Sequence, residues 1–338
     1  ALRYIGSMRP EERAFVQEKE VIYHGIFAGK LRRYHDWRNV TDIFFVFFGF
    51  LQSLAILILW RPHAVFAKGG FVTVPVGIAA WLLRIPLIIH ESDSVLGLSN
   101  RILARYAQKI LLGFPLEVYG NLPIQKVVFS GNPVRQEVRD AKSDRVYLHE
   151  NYGLYEKKPL ILIVGGSQGA QRINELVDGV LEKLTIHFTV VHSAGSRGMQ
   201  HFEDKYHRLL EARNRRYLVF PYIDTDMATF LASADLVVSR AGGTIAEIVY
   251  LRKPSLLVPL PHASGDHQRK NAHFLSGQGA VQVAEESDLT PYRFFEKIEE
   301  ILKDEKGRRA MVRSMETIFP ENSNEIIASE ILRAASTR

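Results

Sequence analysis

Short apolar runs rich in β-branched residues alternate along this chain with longer stretches in which apolar positions recur every three or four residues. That is the pattern of strands alternating with helices. The runs predict strands near residues 2–7, 21–26, 64–67, 87–90, 109–112 and 127–130, with helices between several of them. A polar, charged stretch from Asp140 to Lys158 interrupts the alternation. It then resumes, with strands near 160–164, 188–192, 217–220, 236–239, 255–258 and 281–284 and helices at 171–184, 244–251 and 267–277. Strands joined by helical crossovers pair in parallel. The expectation is therefore an α/β chain of two Rossmann-like, doubly wound domains, residues 1–135 with 320–338 and residues 136–319, facing each other across a cleft. A last helix over 323–335 has no strand after it and is expected to cross back to the first domain. Ligands of such sheets sit beyond the carboxyl ends of the strands.

One segment departs from the pattern. Ile43 to Trp60 carries no charge over 18 residues, close to the roughly 20 apolar residues that span a bilayer. A spanning helix is rejected, because the segment lies between strands that must pair in one sheet. A buried helix, a protein contact and a helix lying in the membrane interface remain. Lys30, Arg32, Arg33, Trp37 and Arg38 precede the segment and Arg61 follows it. Basic residues and Trp beside a surplus of Phe and Leu suit an interfacial anchor on anionic lipid. Core packing would need only one apolar stripe. The favoured reading is docking on an anionic membrane surface through Phe45, Phe48, Leu51 and Trp60.

Composition adds bounds. The chain has 338 residues, 46% hydrophobic and 24% charged, enough for two domains with real cores. The net charge of +6 points to an anionic partner. Dispersed basic residues and the lack of a recognisable module argue against nucleic acid. With no cysteine, disulfides and thiolate metal sites are excluded.

Three turns of the second domain carry candidate chemistry. The apolar run from Leu160 ends in Gly165-Gly166-Ser167-Gln168-Gly169 and passes directly into a helical pattern. Glycines let backbone approach an anion, and the helix N-terminus stabilises its charge. Next, Ser239-Arg240-Ala241-Gly242-Gly243-Thr244 opens a helix in which Glu247 can accept bonds from a ribose diol. The same residues read equally well as a capping box, Thr244 with Glu247. The third turn crowds Asp266, His267, Gln268 and Asn271 at a helix start, a set suited to hydroxyl recognition. In the first domain, Lys68, Gly69 and Gly70 follow a strand and can cradle an acceptor diphosphate, an ordinary turn being the alternative. His90 and Glu91 end a strand and are the chemically suitable candidates for a catalytic base. A buried histidine bonded to backbone is the duller account of His90, and the favoured one.

These motifs together resemble those of the MurG family of bacterial glycosyltransferases. The likeness rests on Gly165 to Ala170 with Asn174, Arg240 to Glu247, and Asp266-His267-Gln268 with Asn271-Ala272. Lys68 to Phe71, His90 to Asp93, Gly97 to Asn100 and Gly131 to Arg135 extend it over nearly the whole chain. The resemblance implies a GT-B fold in a peripheral enzyme at the cytoplasmic face of the bacterial plasma membrane. It implies inverting transfer of N-acetylglucosamine from UDP-GlcNAc to the muramyl C4 hydroxyl of lipid I, giving lipid II for peptidoglycan, with other cell-wall synthesis proteins as potential partners. Gly166, Ser167, Gln168 and Gly169 would hold the diphosphate, and Arg135 would reach it across the cleft. The Ile223 backbone would read uracil, Gly243 and Thr244 would approach the nucleotide, and Glu247 would bind ribose. Gln268, with Asn271 nearby, would bind the GlcNAc hydroxyls, while Lys68, Gly69, Gly70 and Asp93 would face the acceptor. No metal or cofactor is implied.

Three departures qualify the likeness. The family's first strand and glycine-rich loop, ending in a His proposed to activate the acceptor, belong upstream of Leu2, so a preceding segment is expected. Asp93 stands where the family usually has Asn, and Arg240 to Glu247 is one residue shorter than the usual motif. Two alternatives stay open: a GT-B enzyme for another UDP-sugar or lipid acceptor, and a non-catalytic nucleotide-sugar-binding scaffold at the membrane.

Overall fold

The structure is a computed structural model and describes residues 1–29, 38–155, 157–165, 170–210 and 215–336. In chain order the elements begin β1 (Arg3–Gly6), α1 (Pro10–Glu18), β2 (Ile22–Gly25), α2 (Arg38–Trp60), β3 (Val65–Ala67), α3 (Thr73–Leu82), β4 (Leu87–Glu91), α4 (Leu98–Leu103), β5 (Lys109–Leu112) and β6 (Val127–Phe129). They continue with α5 (Gln136–Arg139), α6 (Arg145–Tyr152), β7 (Leu160–Val164), α7 (Gln171–Asp178), α8 (Leu181–His187), β8 (Thr189–Ser193), α9 (Ser196–Leu210), β9 (Tyr217–Phe220) and α10 (Met227–Ser233). The last are β10 (Leu236–Ser239), α11 (Thr244–Tyr250), β11 (Ser255–Leu257), α12 (His267–Gly277), β12 (Gln282–Val283), α13 (Pro291–Lys303), α14 (Glu305–Met315) and α15 (Ser323–Ser336).

Two compact units result, Ala1–Asn132 with Asn322–Arg338 and Pro133–Glu321. In the first, β1 pairs with β2 in parallel, and β3, β4, β5 and β6 form a second parallel sheet in that order. The second unit holds a six-stranded parallel sheet of order β12-β11-β10-β7-β8-β9. Its central strand β7 reads Leu-Ile-Leu-Ile-Val, and every one of these residues is buried. A continuous apolar run is what a parallel strand covered on both faces requires. The final helix does return to the first unit: Ile327 and Ala334 of α15 pack with Ile88 of β4 and Leu111 of β5.

Two expectations need correction. The helix read over 171–184 is two helices, α7 and α8, broken at Gly179, where Pro291 packs so closely that an added Cβ would lie 2.7 Å from its ring. Arg135, assigned to the end of the first domain, belongs to the second unit, because the short helix α5 that follows it packs on α10.

The uncharged segment forms α2, which packs on α3. Gly49 lets the helix approach the chain after β2, since a Cβ there would lie 1.9 Å from the Phe27 carbonyl oxygen. Gly49, Ser53 and Leu57 are buried on this side, and Leu57 joins Ala79, Ala80 and Ile85 in a core cluster. Phe44, Phe45, Phe47, Phe48 and Leu51 are exposed, Phe44 at 60% and Phe47 at 54%. Trp60, expected at an interface, is half-buried beneath the Arg3 guanidinium, 5.1 Å from its ring centroid. Lys30, Arg32, Arg33 and Trp37 lie outside the described residues, and no described helix is long and apolar enough to cross a membrane.

Candidate functional site

In the second unit, three connections leave the carboxyl ends of β7, β10 and β11 and enter α7, α11 and α12. Described residues of all three border an open cavity of ≈ 640 Å³. Gly165, Ala170, Gln171, Arg172 and Glu175 line it from the first connection, and Ser239, Arg240, Gly242, Gly243 and Thr244 from the second. Leu260, Gln268 and Glu286 complete the lining. None of α7, α11 and α12 has a side-chain cap on its N-terminus, so backbone N–H groups and the positive ends of the helix dipoles are offered to an anion. Two arginines line it, each paired with a carboxylate that also lines it. Arg172 is held by Glu175 at 3.1 Å and by the Leu289 carbonyl at 2.7 Å. Arg240, buried at the end of β10, donates to the Val258 carbonyl at 2.9 Å and pairs with Glu286.

A buried polar relay runs from α7 into the sheet. Asn174 of α7 donates to the Ala194 carbonyl at 2.8 Å. Its side-chain oxygen meets His192 Nε2 at 3.1 Å, and His192 Nδ1 meets the Tyr217 hydroxyl at 3.1 Å. An amide oxygen can only accept, so Nε2 carries the proton and Tyr217 donates to Nδ1. Burial pushes the His192 pKa down to about 3, so the ring is neutral. The relay ties α7 to β8 and β9.

Strand ends of the first unit carry a second set. After β3, Gly69 and Gly70 adopt φ of 88° and 84°, a left-handed turn that favours glycine, with Lys68 exposed at its start. At the end of β4, Glu91 accepts from the Gly97 N–H at 2.7 Å, Asn100 Nδ2 at 3.0 Å and the Asp93 N–H at 3.2 Å. Burial raises the Glu91 pKa against these bonds. His90 is fully buried; its Nε2 donates to the Gly131 carbonyl at 3.0 Å, and burial first, opposed by that bond, brings its pKa to about 4. The Asp93 carbonyl accepts from the Tyr119 hydroxyl at 2.7 Å. Both base candidates thus organise loops, and His90 has the backbone-bonded geometry favoured from the sequence.

Domain-family models match the chain over both units: the glycosyltransferase family 28 N-terminal domain over residues 1–112 and the C-terminal domain over residues 160–326. The chain belongs to glycosyltransferase family 28. It is 38% identical over 303 residues to a Bacillus anthracis protein named UDP-N-acetylglucosamine--N-acetylmuramyl-(pentapeptide) pyrophosphoryl-undecaprenol N-acetylglucosamine transferase 2, covering 89% of this chain and 83% of that one. A protein of the same name, without the number, from Shouchella clausii is 35% identical over 98% of this chain and 90% of its own. Among solved structures, Acinetobacter baumannii MurG superposes with a TM-score of 0.73 at 26% identity, over 98% of this chain and 90% of that one. Staphylococcus aureus MnaA, solved with UDP, shares the fold at a TM-score of 0.64 and 15% identity, covering 97% and 94% of the two chains. The architecture is accordingly GT-B, with two Rossmann-like domains.

Measured against the family 28 motifs, the structure assembles part of the expected donor set. Gly243, Thr244 and Gln268 line the cavity together, and Gln268 Oε1 accepts from the Leu260 N–H at 3.0 Å. Gly166, Ser167, Gln168 and Gly169 lie outside the described residues, which flank them at Gly165 and Ala170. The capping box is not formed: Gly243 is the N-cap, and Glu247 instead receives Arg135, Nε to Oε1 at 2.7 Å and Nη2 to Oε2 at 3.2 Å. Neither partner of this two-point ion pair lines the cavity. Asn271 is fully buried and donates to the Ala241 carbonyl at 3.1 Å, so it shapes the second turn from behind. Ile223 is buried in the loop after β9 and does not line the cavity.

Sequence reasoning gave no role to Arg172, Arg240 or His192. Arg240 stood inside a quoted motif and Arg172 lies three residues past Gly169, so a cation beside a phosphate turn was the available signal. For His192, in an apolar strand, no signal existed, because its partners come from α7 and β9.

Proposed function

We propose that this chain transfers N-acetylglucosamine from UDP-GlcNAc to the C4 hydroxyl of the muramyl unit of an undecaprenyl-diphosphate-linked acceptor, with inversion at the anomeric carbon. In this step the acceptor oxygen forms a bond to the anomeric carbon from the face opposite UDP. The bond from that carbon to the diphosphate oxygen breaks, UDP keeps the electron pair, and the hydroxyl proton passes to a base. The observation that carries the reading is the cavity in the family's C-terminal domain, where uncapped helix N-termini, Arg172 and Arg240 meet at the ends of β7, β10 and β11. Fixed N–H dipoles and guanidinium groups stabilise a departing diphosphate without reorganising. Gln268, on the wall of the same cavity, would bind the hydroxyls of a sugar on that diphosphate. Ribose binding at Glu247 would replace the carboxylate's bonds to Arg135, freeing Arg135 for phosphate oxygens. The resulting charge balance needs no divalent cation, so EDTA is expected to leave turnover unchanged, and loss of turnover restored by Mg²⁺ would count against it.

The exposed aromatic face of α2 supports a membrane-surface location, which keeps the enzyme beside a lipid-linked acceptor at the cytoplasmic leaflet. Calorimetric titration with UDP-GlcNAc, UDP-glucose and UDP tests the donor assignment. The expected result is a preference for UDP-GlcNAc over UDP-glucose of at least about 1.4 kcal/mol, a factor of ten. Equal affinity for the two sugars would point to another UDP-sugar, and a folded chain that binds no uridine nucleotide would point to the scaffold reading.

A further inference from the structure

A second cavity, of ≈ 1000 Å³, opens at the other end of the six-stranded sheet. Pro159, Asp235 and Pro254, which immediately precede β7, β10 and β11, form its floor, and α14 forms a wall. The donor cavity lies past the opposite ends of these strands, roughly 16 Å away for a five-residue strand. Eight cationic side chains line this cavity against two carboxylates, Asp235 and Glu305. Asp235 pairs with Arg145 and Glu305 with Arg309, while Arg252 is met from outside by Glu321. Five cations are left over. Lys158 and Lys253 donate to the carbonyls of Ile186 and Ala232, and Arg308 to those of Ile301 and Leu302. Among the described residues, Lys157 and Arg313 have no carboxylate within ion-pair distance, and both are exposed.

Such an excess of like charge in a concave site is repulsive, and it raises the local concentration of anions. The unneutralised groups stand on three separate walls: the approach to β7, the approach to β11, and α14. One monovalent anion cannot meet all of them. A chain of phosphate groups can, with guanidinium forks and ammonium groups each taking phosphate oxygens. We propose that this cavity is a second anion site, separate from the donor cavity, for a ligand bearing two or more phosphate groups.

Inorganic tripolyphosphate titrated calorimetrically into the full chain, at fixed ionic strength and with the donor cavity saturated by UDP, tests the site. Binding is expected to persist under UDP and to weaken at least tenfold when Lys157→Glu is combined with Arg313→Glu. Both positions are exposed, and a thermal melt checks that the double variant folds. Vesicles of cardiolipin, whose headgroup carries two phosphates, in phosphatidylcholine separate the two sources of phosphate. If the double variant also leaves these vesicles, the ligand is a lipid headgroup; vesicle binding equal to that of the parent chain assigns a soluble phosphate compound. Tripolyphosphate that does not bind, that UDP displaces, or that the double variant holds as tightly as the parent chain overturns the proposal.

Discussion

At the scale of single residues, the site is a matter of which way each side chain is turned. Glu247 faces Arg135 in a two-point ion pair instead of closing a capping box, so its role is electrostatic. Glu247→Ala should weaken UDP binding by roughly 1.5–3 kcal/mol, the usual range for a hydrogen bond to a charged group, with the fold intact. Unchanged affinity by calorimetry would remove Glu247 from the nucleotide site. Gln268→Ala should leave UDP affinity within a factor of about two and reduce the preference of UDP-GlcNAc over UDP, because its amide lies beside Gly242 at the cavity wall. Glycines and their flanking polar residues were legible in the sequence because a strand-to-helix turn needs them at fixed offsets. Orientation was not. Asn271 turns its side chain to the Ala241 carbonyl, and no local pattern separates an asparagine that faces a ligand from one that props up a loop.

At the scale of elements, the strands were the most legible, since runs such as Leu160 to Val164 are apolar on both faces and bounded by polar turns. The helix pattern over 171–184 hid its break, because what ends α7 is Pro291 packing on Gly179, a contact from a distant part of the chain. α2 was legible as apolar all round but not as two faces. Its buried side is set by Gly49, and Gly49→Ala would drive a methyl into the Phe27 carbonyl. Overpacking of that kind costs about 1–3 kcal/mol, measurable as a lower denaturation midpoint with an unchanged slope. The other side is free of the core, so Phe45→Ser, Phe48→Ser and Leu51→Ser together should abolish sedimentation with phosphatidylglycerol vesicles while moving the melting temperature by no more than a few degrees. Collapse of the fold in that variant would mean that the exposed face is packing surface.

At the scale of the whole molecule, both units should lose stability in acid, because each buries a neutral histidine. A histidine with a folded pKa below its unfolded value of about 6.5 contributes stability above that pH, and loses it as pH falls toward the folded pKa. For His192, at about 3, the window runs from 6.5 down to 3. Between pH 7 and pH 5 the second unit should lose about 2 kcal/mol, from about 1.4 kcal/mol per pH unit once the unfolded histidine is charged. His90, at about 4, acts in the same direction in the first unit. There the raised pKa of Glu91 has the opposite sign: its folded state binds a proton before the unfolded chain does, so lowering the pH stabilises the unit. The three tryptophans, Trp37, Trp60 and Trp81, all fall within Ala1–Asn132. Tryptophan fluorescence therefore reports the first unit, and far-UV circular dichroism reports both. On going from pH 7 to pH 5 in urea, both transitions should move to lower denaturant, and His192→Asn should reduce the circular-dichroism shift more than the fluorescence shift. A circular-dichroism shift unchanged in the variant would mean that the buried relay takes up its proton without cost to the fold.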